Sequence, residues 1–186
     1  MAIYKCLNKQ RFFYEDFSLV PLRYEDRFDI MKWRNEHIYH LRQNQPLTIE
    51  NQQWYFDNVV ARLFEQQMPE QILFSFLKDG ICIGYGGLVH INWIDKNAEI
   101  SFIMDTQLER EHFTKYWSCY LIMLKEVAFA DLSFHKIYTY AFDLRPHLYT
   151  VLENNGFVRE ATLHEHCLFQ AAYKDVVIHS IFNDHV

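Results

Sequence analysis

Apolar and polar positions recur along the chain with two different periods, and the switches between them predict its elements. Met1 to Arg23 is mostly extended, with a turn at Asn8-Lys9-Gln10 and a first secure strand over Ser18–Arg23. Pro21 cannot donate to a ladder, which places that strand at an edge or a start. Tyr24 to Glu36 reads as a short helix leading into a polar loop around His40 to Pro46. Beyond it, Phe56, Val59, Val60, Leu63 and Phe64 fall at i, i+3, i+4, i+7 and i+8, one face of a helix with Thr48 as its N-cap. Ile72–Lys78 and Ile81–Ile91 flank Asp79-Gly80, a dipeptide that favours a type I′ hairpin turn.

Ala98–Asp105 alternates cleanly, with Glu99, Ser101 and Ile103 opposite Ala98, Ile100, Phe102 and Met104. The longest helix is expected over Phe113–Ala130, where Phe113, Trp117, Tyr120, Leu121, Leu124, Val127 and Ala128 make one apolar stripe. His135–Phe142 returns to strand. Pro146 suits the first turn of a helix that stops at Asn155-Gly156. Two closing strands, Glu160–Gln170 and Asp175–Phe182, meet at Ala171-Ala172. The order β-α-α-β-β-β-α-β-α-β-β implies a mixed α/β sheet with parallel pairing around the long helix.

Composition narrows the function. The chain has 186 residues, half of them apolar and 23% charged, which suits one folded domain over 1–186. Lys125, Glu126 and Asp131 cut its longest apolar stretch short of the ~18 residues of a membrane span. Met1–Lys9 lacks the apolar core of a signal peptide, so a cytoplasmic location without a membrane partner is expected. Gly84, Gly86 and Gly87, the only glycine cluster, lie inside a strand and not at a helix start, which argues against NTPases and dinucleotide folds. With a net charge of −6 and scattered Lys and Arg, nucleic acid is not an expected partner. Cys6, Cys82, Cys119 and Cys167 form no CxxC pair and read as free thiols. His164-Glu165-His166-Cys167 lacks a compact fourth ligand, and no metal is expected. No G-x-S-x-G elbow supports a serine hydrolase.

Particular residues sharpen the picture. Met31-Lys-Trp-Arg-Asn35 lies in the first helix, Ile83-Gly-Tyr-Gly-Gly-Leu88 in the third strand and Asn97-Ala-Glu-Ile-Ser-Phe-Ile-Met-Asp105 in the fourth. Ala128-Phe-Ala-Asp-Leu-Ser-Phe-His-Lys-Ile137 and Leu152-Glu-Asn-Asn-Gly-Phe157 follow. With these segments in this order, Ser18 to Phe182 resembles the GNAT superfamily of acyl-CoA-dependent N-acetyltransferases. Members that acetylate ribosomal-protein N-termini or nucleotide-linked amino sugars look most similar. The resemblance implies a splayed, mixed central sheet of about seven strands flanked by about four helices, with acetyl-CoA as cosubstrate.

By the same resemblance, the strand over Ala98–Asp105 diverges from the next, and the pantetheine arm of CoA adds itself like a strand. Main-chain groups near Phe102, Ile103 and Met104 would hold the arm and polarise the thioester. Glu99 would be the general base, taking the acceptor's ammonium proton directly or through one water. The family's Q/R-x-x-G-x-G/A pyrophosphate loop has no glycine counterpart. Counting back from Ile137 puts His112, Lys115 and Trp117 at its positions; counting forward from Asp105 puts Glu109, His112 and Thr114 there. Arg110 and Lys115 would then serve the phosphates beside the helix N-terminus, or else be solvated charges. Arg145 would reach a phosphate or pair with Asp143. The family's acidic tyrosine aligns with Leu152; Tyr149, on the same helical face, either substitutes for it or packs. Trp33, Arg34, Arg42 and Tyr85 would line the acceptor pocket. The two arginines suit a phosphate-bearing amino-sugar nucleotide, and a protein N-terminus is the other acceptor class. The competing expectation is a GNAT-shaped acyl-CoA-binding or scaffolding module that has lost catalysis.

Overall fold

A computed structural model describes residues 2–41 and 43–184. Eight strands form one open sheet: β1 (Phe12–Tyr14), β2 (Phe17–Pro21), β3 (Ile72–Lys78), β4 (Ile81–Asn92), β5 (Asn97–Met104), β6 (Lys136–Phe142), β7 (Val158–Phe169) and β8 (Ala172–Phe182). Their spatial order is β1-β2-β3-β4-β5-β6-β8-β7. The strand missing from the sequence-based order is β1, whose three residues are too few to show a period. All pairs are antiparallel except β5 with β6.

The helices are α1 (Arg27–Glu36), α2 (Ile49–Tyr55), α3 (Ala61–Leu63), α4 (Thr106–Lys125) and α5 (His147–Asn154). A π-helical turn over Phe56–Val60 joins α2 and α3 into one rod, which buries Phe56, Val60, Leu63 and Phe64. Thr48 caps it, its side chain accepting from the Asn51 N–H at 3.2 Å. At the C-terminus of α5, Gly156 takes φ +89° and the Phe157 N–H donates to the Leu152 carbonyl at 3.1 Å. That is the glycine stop expected there. Asp79 and Gly80 both have positive φ, as a type I′ turn requires. Among the described residues no helix is long and apolar enough to cross a membrane.

The long helix departs from expectation at its start. It begins at Thr106, because Asp105 accepts from the Gln107 and Leu108 N–H groups at 3.0 and 3.1 Å. His112 then breaks the helical conformation, with φ −132° and ψ 19°. The apolar stripe expected from Phe113 is the second half of α4, and a π-helical turn over Glu126–Asp131 extends it. Its inner face buries Tyr116, Trp117, Tyr120, Leu121 and Leu124 against the sheet.

The sheet divides at one seam. β5 pairs with β6 only through Asn97↔Lys136, Ala98↔Ile137 and Glu99↔Tyr138, whereas β8 pairs with β6 along its whole length. Beyond Glu99, β5 stays with β4 instead. Gly86 makes that allegiance tight: a Cβ there would lie 2.1 Å from the Ser101 carbonyl and 2.6 Å from the Tyr120 hydroxyl. Phe102 stacks on Tyr120 at 3.8 Å between ring centroids, and Trp117 meets Phe102 edge-on at 4.8 Å. Aromatic side chains thus pack beneath the seam where strand pairing stops.

The β7–β8 turn carries measurable strain. Gln170 and Ala171 have φ +48° and +60°, and a left-handed conformation costs a residue with a Cβ roughly 1–2 kcal/mol. Ala171→Gly is expected to stabilise the protein by about 0.5–1 kcal/mol after the extra chain entropy of glycine. The urea unfolding midpoint should rise without a change in slope.

Candidate active site

The seam opens into a cleft of about 710 Å³. One hydrogen bond fixes the orientation of its β5 wall. The Asp105 N–H donates to the Ile83 carbonyl on β4, so by alternation Ile103 and Ser101 also face β4. The main-chain groups of Phe102 and Ile100 point the other way, into the gap. Ile103 lines the cleft, but its main chain belongs to the β4 ladder, contrary to expectation. Met104 is fully buried. Of the three expected residues, Phe102 keeps backbone groups directed at a ligand.

Glu99 stands where strand pairing ends and lines the cleft. Its Oε2 lies 2.8 Å from Nδ1 of His90. His90 occupies an irregularity between Val89 and Asn92 in the β4–β5 register and takes φ +48°. Glu70 and Gln71, at the start of β3, continue this wall.

The opposite part of the cleft holds a cation. Arg34 Nη1 donates to the Tyr85 hydroxyl at 2.6 Å, and its Nε donates to Gln43 Oε1 at 3.2 Å. Both partners are neutral, and among the described residues no carboxylate pairs with Arg34. Tyr55 lies on the same wall, and burial raises its phenol pKa. Asn35 fixes the loop around them: its Oδ1 accepts from the Leu47 N–H at 2.7 Å, and its Nδ2 donates to the Leu47 carbonyl at 3.0 Å. Arg34 and Tyr85 both line the cleft. Arg42 lies outside the described residues. Trp33 does not line the cleft; it is buried and donates from Nε1 to Asp105 Oδ2 at 3.1 Å, tying α1 to the cap of α4.

The phosphate end differs most from expectation. Arg145 lines the cleft, yet its Nη1 pairs with Glu109 Oε1 at 3.0 Å and not with Asp143. Glu109 Oε2 lies 3.2 Å from His37 Nε2, and His37 Nδ1 lies 3.1 Å from Nε2 of His40, another residue of the cleft wall. Lys115 pairs with Glu15 at 3.2 Å, beside the β1–β2 turn. Arg110 is exposed, and His112 stacks on Tyr116 at 4.9 Å. None of these three lines the cleft. Asp105 already occupies the N–H groups of the first helical turn that an anion would use. Tyr149 also stands apart from the cleft wall, its hydroxyl donating to Asp143 at 2.8 Å and its ring stacked on His179 at 5.1 Å. Burial, reinforced by Asp143, raises its pKa strongly.

The sequence points to the loop from His37 to Pro46 as part of the pocket but gives His37 and His40 no individual role, although their i, i+3 spacing just after α1 is a usable signal. His90 carries no signal in the sequence, because the irregularity that turns it toward Glu99 leaves no mark in the alternation. His164 bonds Asp175 at 3.0 Å across the β7–β8 hairpin. Among the described residues no three His, Cys, Asp or Glu side chains cluster as metal ligands.

The sheet is open and mixed, and it parts beside the strand that carries Glu99. A profile of the acetyltransferase (GNAT) domain matches residues 19–178, and the chain belongs to that family of N-acetyltransferases, whose cosubstrate is acetyl-CoA. No curated protein matches it. Among solved structures it is similar to spermidine N-acetyltransferase from Vibrio cholerae in complex with CoA and spermine. That structure has 20% identity and a TM-score of 0.79 over 90% of this chain and 96% of the other. The dodecameric form of that enzyme in an intermediate state matches at 21% identity and a TM-score of 0.74, over 90% and 94%. The gap and the Phe102 main chain suit an extended amide arm. The phosphate end has no glycine cradle and holds its own carboxylates.

Two histidines, the buried His37 and the half-buried His40, make stability depend on pH. Burial lowers the pKa of His37, against the pull of Glu109. Burial, with Arg145 and His37 next, pushes His40 down to about 2. Both titrate below their unfolded counterparts, which protonate near pH 6.5, so the unfolded state binds more protons below that pH. Stability is therefore full above about pH 6.5 and falls on acidification, by up to ~1.4 kcal/mol per pH unit for each such histidine. Urea unfolding at pH 7.5 and 5.5 should show this loss, and His40→Gln should reduce it.

Proposed function

We propose that this acetyltransferase acts on a primary amine that also carries an anionic group, with a nucleotide-linked amino sugar as the favoured acceptor class. The observation that carries this reading is Arg34, a cleft cation whose described partners are all neutral. A half-buried guanidinium without a counter-ion loses part of its hydration uncompensated, and a ligand phosphate or carboxylate would supply the missing charge. A protein N-terminus provides the amine but no obligatory anion. The polyamines in the names of the structural neighbours are cations throughout, which suits Glu70 and Glu99 and leaves Arg34 opposed.

The roles follow from the chemistry of each group. Acetyl-CoA supplies an acetyl group activated as a thioester. The Phe102 N–H and carbonyl hold the extended arm by strand-like hydrogen bonds. Glu99 takes the ammonium proton of the acceptor, freeing the lone pair that attacks. Arg34, braced by Tyr85 and Gln43, orients the acceptor through its anion.

Acetylation rates on a nucleotide-linked amino sugar, a peptide α-amine and spermidine, read as thiol release, test this assignment. The anionic amine should have the highest kcat/KM, and Arg34→Met should lower that value by roughly ten- to hundredfold, the worth of one charge-assisted hydrogen bond. A wild-type preference for spermidine overturns the acceptor assignment. Glu99→Gln separately tests the base. The near-isosteric amide should reduce kcat by ~10²–10⁴ while acetyl-CoA affinity, measured by calorimetry, stays the same.

A further inference from the structure

Acetylation of an ammonium has a fixed proton balance. The nitrogen loses two protons on becoming an amide, and the departing thiolate takes back one. One proton must reach bulk water in every cycle. Glu99, as the base assigned above, has to unload that proton before it can accept another. Its own side chain is only 14% exposed, whereas that of His90, in contact with it, is 60% exposed.

The backbone is distorted to make this contact. Val89 lies directly across from Glu99 in the β4–β5 register, so a regular strand would turn residue 90 to the other face. At this point the register breaks and His90 adopts φ +48°, a conformation costly for a residue with a Cβ. The result is a 2.8 Å contact between Nδ1 and Oε2. Strain of this kind tends to be stored where function over-determines it.

We propose that His90 is the relay residue through which Glu99 returns its proton to solvent. Protonated Glu99 passes the proton from Oε2 to the lone pair on His90 Nδ1, which restores the carboxylate and creates an imidazolium. The imidazolium loses its Nε2 proton to water, and rotation of the exposed ring then carries Nδ1–H to solvent, where exchange restores the Nε2–H tautomer with a free lone pair on Nδ1. No oxidant or further reactant enters; the sum is one proton moved from the acceptor nitrogen to water. Both side chains belong to the cleft wall, so the relay begins beside the reacting amine and ends outside.

The inference rests on Glu99 as base, and the test separates the two. Asparagine tolerates positive φ and can still donate to Glu99, so His90→Asn keeps the bend and the hydrogen bond but cannot carry a proton. Its kcat should fall about tenfold or more, within the range that acid–base groups contribute. Calorimetric affinity for acetyl-CoA should not change, and added imidazole should restore the rate in proportion to its concentration. His90→Gly, which also fits φ +48°, is the second variant if the first fails to fold. Wild-type turnover in His90→Asn, or a slow variant that imidazole does not rescue, overturns the relay. If Glu99→Gln is slow while His90→Asn is not, the relay alone fails; if Glu99→Gln turns over at the wild-type rate, the base assignment fails with it.

Discussion

The structure depends on where the pairing between β5 and β6 stops. Three residue pairs join these strands, and beyond them each strand is claimed by its outer neighbour. Gly86 lets β4 approach β5 closely enough that no side chain would fit between them. β8 holds β6 over its full length. Trp117, Tyr120 and Phe102 pack together on the α4 side of the parting. The main-chain groups of Phe102 that β6 would have satisfied are left facing water or a ligand, and a buried backbone without partners would not be stable. A cleft at this seam is thus the consequence of two strong ladders diverging, and Glu99 stands where they divide.

Acidic side chains organise the surroundings in the place of glycines. Asp105 caps α4 and also accepts from Trp33. Glu109 joins Arg145 to His37, so the first turn of α4, the loop after α1 and the approach to α5 are fastened through one carboxylate. Breaking such a buried pair from one side leaves an uncompensated charge, which is more costly than the pair is favourable. The site's electrostatics follow from this arrangement. Arg145 is neutralised by the protein itself, and Arg34 is held by the Tyr85 phenol and the Gln43 amide, with no carboxylate partner among the described residues.

Much of this was legible in the sequence, for identifiable reasons. Asp79-Gly80 announces its hairpin because only a few dipeptides adopt two consecutive positive φ values, and the alternation over Ala98–Asp105 marks the strand that carries Glu99. Where local pattern is weak, the reading failed. Thr106 to His112 has no apolar period, and the carboxylate of Asp105 is what makes the segment helical. Trp33 and Tyr149 sit on the expected helices, but a helical face alone does not separate core from cleft. Arg145 pairs with Glu109, and Lys115 with Glu15, through contacts between segments distant in sequence, which no spacing rule reveals. His90 needed the strand irregularity to be seen first.

The central claim is that the unpaired edge of β5 receives the acyl donor. Hydrogen–deuterium exchange at the Phe102 amide, with and without saturating acetyl-CoA, tests it most directly. The account predicts fast exchange in the free protein, because β6 offers this N–H no partner, and marked slowing when acetyl-CoA is bound. Equal exchange rates under conditions where calorimetry shows acetyl-CoA bound would place the donor elsewhere and contradict the account.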